Sequence, residues 1–354
     1  MPIDWTKSMR QTFEYYVVNP NSWRDVKKLN NVKSATINRD TSSETLGSAS
    51  FSATDTLGEC YIRSYLIANQ NGEEEKVPLG THLVQTPSST FDGKIRNVTM
   101  DAYTSLLELK EKKPPIGYSL LKKDNIMDNA YQLTQENVRA PVVKATNENV
   151  LNSDFVSNLD DNWLGYISDL IANAKYTFDL DEMGRILYAP VQDTASLQPV
   201  WTYTDDNSSI LHPQVDMDHD IYGIPNVVEV IYSNNGEYYY SRVVNDDENS
   251  PLSTVNRGRE IVHRDPNPSV VGFPTQMEID EYAKQLLQGL STVEYTITYT
   301  HGYCPVRTGD CVRLNYKSAG LTNVKAKVIS QTIKCETSCQ VTEKAVFTKK
   351  LWEG

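Results

Sequence analysis

Residues 61–84 read YIRSYLIANQNGEEEKVPLGTHLV, in which two apolar, strand-like stretches flank the turn-rich segment NQNGEEE at 69–75. Short runs of alternating or β-branched residues between Gly, Asn and Asp are typical of strands joined by hairpin turns. Similar runs surround this stretch, and they include SATIN (34–38), SASFSA (48–53) and RNVTMDAY (96–103). The region from Glu14 to Tyr103 therefore predicts an all-β unit at the spacing of a sandwich or barrel.

The pattern changes after EKKPPIG at 111–117, a charged, proline-bearing segment that is typical of a domain boundary. Apolar residues at helical spacing predict a helix that begins after Asp124, whose carboxylate is placed to cap the free amides. A second helix is expected at 161–174, and YTFDLDEMGRILYAPV at 176–191 is expected to form a hairpin. Residues 111–199 are thus predicted to be a small α+β domain inserted between two β domains.

Strand-like runs return from residue 200 onward and are interrupted by one expected helix at 277–290. PLGTHLV near residue 80 and RTGDCVRL near residue 310 both place a glycine turn just ahead of an apolar strand. Two divergent copies of one barrel, at 1–110 and 200–354, would explain this repetition.

The charge and composition exclude several classes of protein. The 354 residues include 46 acidic and 34 basic side chains, for a net charge of −12, which excludes a generic basic nucleic-acid binder. No apolar run approaches the length that spans a bilayer, and the first residues lack the apolar centre of a signal peptide. We therefore expect a soluble protein made in the cytosol.

Tyrosine is unusually frequent, with 21 residues against 7 Phe and 5 Trp. A tyrosine surplus fits half-buried, wet surfaces such as subunit interfaces, and it fits ordinary strand tyrosines equally well.

Two acidic segments invite a metal-binding interpretation. DLDEMG at 179–184 places Asp, Asp and Gly as an EF-hand loop does, but Met183 and Pro190 stand where that loop needs ligands. DMDHD at 216–220 would point three carboxylates to one side of an extended strand. A hairpin turn is favoured for the first segment and a solvated strand face for the second.

His301 and four cysteines lie in the last 54 residues, but their spacings do not match the usual knuckles of zinc or iron–sulfur sites. Buried or hairpin-end thiols are favoured, while a small disulfide within CETSC at 335–339 stays open. The sequence thus leaves three alternatives open for Cys304, Cys311, Cys335 and Cys339: free thiols, disulfides or a bound metal. Since no GxSxG, HExxH, P-loop or GxGxxG pattern is present, no catalytic, cofactor-binding or metal-binding residue and no cofactor is predicted.

The order of these segments resembles one known family. GSASFSA (47–53), residues 61–84 and DGKIRNVTMDAYTSLLEL (92–109) resemble the first barrel of phage tail hub proteins. That family is related to the T4 baseplate hub and to the N-terminal part of type VI spike proteins. Residues 161–191 resemble its inserted domain, and IYGIPNVVEVIYSNNGEYYY (221–240) resembles the entry into its second barrel.

The resemblance implies a mainly β fold with a small α+β insertion and two tandem tube-like β-barrel domains. It implies a non-enzymatic virion protein that forms a trimeric ring at the distal end of a phage tail tube, assembled in the host cytoplasm. Two barrels in each of three subunits would adapt the sixfold tube to threefold spike or fibre proteins. The implied partners are two further copies, the tail tube or distal tail protein, a tail fibre or spike protein and the tape-measure protein.

DNA would pass through the ring without specific binding, because a lumen lined with carboxylates repels phosphate. Relatives with a hydrolase or receptor-binding extension continue beyond the point where this sequence ends, so an enzymatic extension is not expected. The alternative from another class is an all-β carbohydrate-binding or carbohydrate-active protein, in which aromatic rings stack on sugars and two dispersed carboxylates act on them.

Overall fold

A computed structural model describes residues 3–91, 93–94, 96–206, 209–234, 236–270 and 274–354. The chain is mainly β, with a few short helices between the strands. It divides into two compact units: unit 1 is Met1–Val215 with Tyr299–Ala345, and unit 2 is Asp216–Thr298 with Val346–Gly354. The three domains at 1–110, 111–199 and 200–354 and the number of barrels stay predictions.

Unit 1 contains most of the strands. They are β1 (Arg10–Val18), β2 (Asp25–Lys28), β3 (Val32–Asp40), β4 (Gly47–Ala53), β5 (Tyr61–Gln70), β6 (Glu73–Phe91), β7 (Arg96–Tyr103), β8 (Ser119–Leu120), β9 (Phe155–Val156), β10 (Tyr176–Leu180), β11 (Ile186–Pro190), β12 (Pro199–Thr204), β18 (Cys311–Tyr316) and β19 (Leu321–Cys335). Three more strands have residues in both units: β13 (Leu211–His219), β17 (Thr292–Gly302) and β20 (Gln340–Lys350).

Thirteen strands form one sheet, with the main order β13-β17-β20-β19-β3-β4-β7-β6-β5-β1-β2. A side branch places β18 between β19 and β12, and the β12–β18 pairing is parallel. Each half of the long strand β19 has its own partner: residues 321–327 pair with β18, and residues 330–335 pair with β3. Strands from the beginning and the end of the sequence therefore share one ladder.

The β5–β6 hairpin follows from its turn residues. Gln70 pairs with Glu73, so the loop consists of Asn71 and Gly72, with φ angles of 55° and 86°. Asn-Gly with both residues at positive φ is the turn whose twist matches the flanking strands. The fold prediction at residues 61–84 is confirmed at this hairpin.

The first core of unit 1 lies beside these strands. Ile37, Phe51, Leu66 and Met100 are fully buried in one cluster, which Ile333 of β19 joins. Burying each such side chain contributes about 1.5–3 kcal/mol.

A second core belongs to the middle segment, where three helices pack together with the β10–β11 hairpin. The helices are α1 (Leu107–Glu111), α2 (Ile126–Asn137) and α3 (Trp163–Ala172). Helix α2 is capped by Asn125, whose side-chain oxygen accepts from the amide of Asp128 at 2.9 Å. Asp124 accepts instead from the amide of Leu121 at 2.9 Å, so the prediction that Asp124 caps this helix is wrong by one residue.

Unit 2 is built on a three-stranded sheet in the order β15-β14-β16, namely β15 (Glu237–Val244), β14 (Val227–Asn234) and β16 (Val262–Asp265). A short helix, α4 (Thr254–Arg257), precedes β16, and α5 (Gln276–Leu290) packs on the sheet through Ile279, Ala283 and Leu287. Thr275 and Glu278 form a capping box at the start of α5, so the helix expected at 277–290 begins one residue earlier. No helix among the described residues is long and apolar enough to cross a bilayer.

Candidate functional site

Residues 179–184, which comprise the end of β10 and most of the turn that leads to β11, contact side chains from distant parts of unit 1. The carbonyl oxygen of Met183 accepts from Trp23 Nε1 at 2.7 Å and from Arg63 Nη2 at 3.0 Å. Arg63 is almost fully buried and also donates to Asp25 at 2.7 Å. This turn is therefore an internal docking element of the unit.

Arginines also engage the acidic side chains of the turn. Arg307 Nε lies 2.8 Å from Glu182 Oε1, and Arg39 Nη1 lies 3.6 Å from the same oxygen. Arg307 Nη2 lies 3.6 Å from Asp179, and Asp181 pairs with Arg185. The carboxylates of Asp179 and Asp181, which the calcium interpretation would use as ligands, are thus paired with guanidinium groups.

Gly184 is required at the end of this turn. Its φ angle is +75°, and a Cβ atom would lie 2.6 Å from the Cβ of Thr81. The glycine that ends DLDEMG (179–184) is therefore explained by backbone conformation and close packing.

A cavity of about 90 Å³ adjoins the turn, with Arg39, Glu182 and Arg307 in its lining. His82 also lines it and is buried, with no hydrogen-bond partner for Nδ1 among the described residues. Burial and the nearby charge of Arg39 lower the pKa of His82 to about 3, so the ring is neutral at pH 7.

A second polar cluster lies in the interior of unit 1, around His301 and Glu343. His301 Nε2 is 3.4 Å from Glu343 Oε1, and both side chains are fully buried. Tyr299 and Tyr203 donate to Glu343 Oε2 at 2.6 and 3.1 Å, and Gln331 donates to Oε1 at 2.5 Å.

These contacts determine the charge state of the pair. Burial alone would lower the pKa of His301, but the contacts with Cys304 and Glu343 raise it to about 10. Burial would likewise raise the pKa of Glu343, but His301, Tyr299 and Gln331 hold it below its usual range. The cluster is therefore a buried ion pair at neutral pH.

Cys304, His301 and Glu343 have the residue types of a nucleophilic triad, but the geometry does not serve one. His301 Nδ1 lies 2.6 Å from the carbonyl oxygen of Gly302 and 3.8 Å from Cys304 Sγ. A ring nitrogen that donates to a carbonyl cannot accept the thiol proton. All three side chains are buried, with no more than 2% exposure, so substrate has no access to them.

The other cysteines are free thiols in the structure. Cys335 and Cys339 are buried in the first core, and burial raises the pKa of Cys335 to about 12. Among the described residues no group of three or more metal-ligand side chains comes together. Asp216 and Asp218 do lie in a strand, as the alternation predicts, and His219 stacks on Tyr295 with ring centroids 4.4 Å apart.

The face of the β15-β14-β16 sheet opposite α5 is exposed. It carries Tyr238 and Tyr240, which are 63% and 43% exposed. In the next row Glu229 lies between Arg242 and Arg264, at 3.6 and 2.7 Å. Tyrosine and arginine are the residue types enriched at protein interfaces, so this face is a candidate contact surface.

The sequence predicted neither the His301–Glu343 cluster nor the hydrogen bonds from Trp23 and Arg63 to Met183. The members of the cluster are spread over 140 residues, from Tyr203 to Glu343. One signal was available: buried positions alternate with less buried ones in β17 and in the first part of β20, and His301 and Glu343 both fall at buried positions. A charged group at such a position implies a partner.

The sequence matches no family model and no curated protein. The fold is similar to that of a tail protein from Neisseria meningitidis MC58, with a TM-score of 0.60, 13% identity, and coverage of 96% of this chain and 97% of that chain. A 43 kDa tail protein of prophage MuSo2 from Shewanella oneidensis gives a TM-score of 0.58 at 10% identity, with coverage of 95% and 98%.

Type VI secretion proteins have a similar fold. A chain of the Francisella PdpA–VgrG complex gives a TM-score of 0.54 at 10% identity, over 98% of this chain and 53% of that chain. An Escherichia coli type VI component, itself similar to the T4 tail proteins gp27 and gp5, gives 0.52 at 7% identity, with coverage of 96% and 78%. The chain therefore has a fold similar to that of these phage tail and type VI secretion proteins, which confirms the mainly β fold that the resemblance implies.

Proposed function

We propose that this chain is a structural subunit of a phage tail or of a related tail-like particle. The observation that carries the proposal is the coverage of the fold comparisons. The two tail proteins align over 95–96% of this chain and 97–98% of their own length. The similarity thus extends over nearly the whole chain and is not confined to one segment of it.

In the finer form of the proposal, three copies form a hub ring at the distal end of the tail tube, in the virion. Two barrel domains in each copy would present six similar surfaces to the tube and three to a spike or fibre protein. Tape-measure protein and distal tail protein are the further expected neighbours. The shared sheet supports this arrangement, because the β19–β3 ladder joins the N-terminal and C-terminal strand regions.

The chemistry of the described interior favours a structural role over an enzymatic one. The one constellation that resembles a triad, at His301, is sealed from solvent and has its ring nitrogen committed to a carbonyl. At residues 179–184, Arg307 pairs with Glu182 and Arg63 donates to the carbonyl oxygen of Met183, so these charged groups link distant segments of unit 1.

The net charge of −12 supports a further part of the proposal, namely that DNA leaves through the ring. Carboxylates around a channel would repel the phosphate backbone and allow DNA to slide. Neutralising the channel-facing acids in an assembled tail should slow DNA ejection, measured by dye uptake. Unchanged ejection kinetics would refute this role for the charge.

The direct test of the proposed function is assembly. The purified chain, examined by light scattering and negative-stain microscopy, should form three-subunit rings and should bind a tail-tube protein. A chain that stays monomeric, does not bind tail proteins, and binds or hydrolyses glycans would overturn the proposal in favour of the carbohydrate alternative.

A further inference from the structure

We propose that β2 of one copy and β13 of the next form a head-to-tail contact, in which a basic strand edge meets an acidic one. This inference rests on the proposed ring and names the surfaces that would close it. It starts from the sheet order: among the described residues, β2 and β13 are the two ends of the main path, so each pairs on one side only. An unpaired strand edge is a template for pairing with another chain.

The β2 end is basic. Arg24, just before the strand, and Lys27 are exposed, and neither side chain has a hydrogen bond or ion pair among the described residues. Asp25, the one acid of the strand, accepts hydrogen bonds from Arg63 Nη1 and from the hydroxyl of Tyr65, each at 2.7 Å. Val26 is 60% exposed between these charges. The edge thus presents unbalanced positive charge around an apolar side chain.

The β13 end is acidic. Residues 216–220, which are the last four residues of β13 and the residue after it, contain three carboxylates and no lysine or arginine. Asp218 and Asp220 are exposed, and Met217 is 47% exposed between Asp216 and Asp218. This edge has the same pattern as β2, an apolar side chain flanked by charges, with the sign reversed.

The charges also select the geometry of the contact. Two β2 edges would bring Lys27 against the basic side chains of the other copy, and two β13 edges would bring Asp218 against carboxylates. Like charges directly opposite each other destabilise a strand pair, so both symmetric contacts are disfavoured. The complementary contact uses different surfaces on the two copies, and such contacts generate rings when their rotation closes.

The side branch of the sheet ends in β12, which offers no comparable contact. Its sequence, PVWTYT at 199–204, carries no charged residue. Among the described end strands of this sheet, only β2 and β13 carry complementary charges.

A charge-reversal series tests the proposal, with assembly measured by light scattering in low salt, where exposed charges are weakly screened. The variants are Arg24→Glu/Lys27→Glu, Asp218→Lys/Asp220→Lys and the combination of all four. Each reversed pair alone should weaken assembly at least tenfold, because it sets like charges against each other. The combination should restore rings. The control Lys113→Glu/Lys122→Glu changes the charge as the first pair does, at exposed residues of the middle segment, and should assemble as wild type.

The outcomes separate this inference from the proposed function. Rings that persist in both reversed pairs would refute the β2–β13 contact and leave the ring itself intact. Loss of assembly in the fourfold variant, with an unchanged unfolding temperature, would also refute the contact. A wild-type chain that never assembles, alone or with tail proteins, would contradict the contact and the hub function together.

Discussion

At the scale of single residues, unit 1 depends on polar groups that are removed from water. His301 and Glu343 are fully buried, and each retains its charge because the other is present. Removing one partner of a buried ion pair typically costs about 3–5 kcal/mol, because the remaining charge is left without compensation. Substitution of either residue should therefore be strongly destabilising.

The His301 pair predicts a dependence of stability on pH. The folded-state pKa of His301, about 10, lies above its ordinary value near 6.5. Its contribution is thus fully present below about pH 6.5 and is lost as the pH rises towards 10. The free energy of unfolding from urea titrations should fall over this range in the wild type.

His301→Gln should be less stable at pH 6.5, and the difference from wild type should shrink at pH 10. Other groups titrate in the same range, so the comparison of the two chains isolates His301. A constant difference across the range would contradict the assigned charge state.

Gly184 gives a second residue-scale prediction. Gly184→Ala should destabilise the chain by at least about 2 kcal/mol, because it combines a positive φ with a contact on Thr81. Gly117→Ala is a matched control: Gly117 has the same φ of +75° and no atom within 4 Å of an added Cβ. Thermal unfolding should show a clearly larger loss for Gly184→Ala. Equal losses would mean that the contact with Thr81 contributes nothing.

Such contacts are largely invisible in the sequence. The glycine at 184 is readable as a turn signal, but its approach to Thr81 joins residues about a hundred positions apart. The same is true of Met183, because its carbonyl oxygen accepts a hydrogen bond from Trp23, which lies 160 residues earlier in the sequence. Only the placement of the strands brings these residues together.

At the scale of elements, local signals were largely sufficient. Asn71-Gly72 predicts its hairpin, and the apolar spacing in α5 places Ile279, Ala283 and Leu287 on the buried side. The error at α2 has a local cause. Asp124 and Asn125 are both good capping residues, and Asp124 is used by the preceding turn.

The cap assignment leads to a direct comparison. Asn125→Ala should destabilise the chain by about 0.5–2 kcal/mol, because the amide of Asp128 loses its acceptor. Asp124→Ala removes the bond to the amide of Leu121 and leaves the helix cap in place. Helical circular dichroism of the middle segment should respond to the first substitution and little to the second. A larger loss of helical signal in Asp124→Ala than in Asn125→Ala would show that Asp124 caps the helix.

At the scale of the whole molecule, the exposed tyrosines of β15 bear on assembly. Of the tyrosine surplus, ten residues are buried, so the interpretation as ordinary strand tyrosines accounts for many of them. Tyr238 and Tyr240 are different, because they lie exposed beside the Arg242–Glu229–Arg264 row.

Tyr238→Ser/Tyr240→Ser should weaken the association of this chain with a tail partner by about tenfold or more, since central aromatic residues dominate interface energies. Surface plasmon resonance with the tail-tube protein is the measurement. Tyr222→Ser, at a tyrosine that is 93% exposed and outside this face, serves as the control. Equal binding by both variants would remove β15 from the interface.

Fold class was predictable at this scale, and strand connectivity was not. Alternation and turn residues identify strands, but nothing local in β19 indicates that its two halves pair with β18 and with β3. Register between distant strands is set by tertiary packing.

The β3–β19 ladder has a consequence for synthesis. Thr332 and Asn38, which hydrogen-bond across it, are 294 residues apart. At about 5–20 residues per second, a ribosome needs roughly 15–60 s to supply the second strand after the first. During that interval the nascent chain carries β3 with one side unpaired, and newly made chains on the same message lie close to one another. Slow elongation should therefore lower the yield of soluble protein, and a chaperone that shields early strands during translation should raise it.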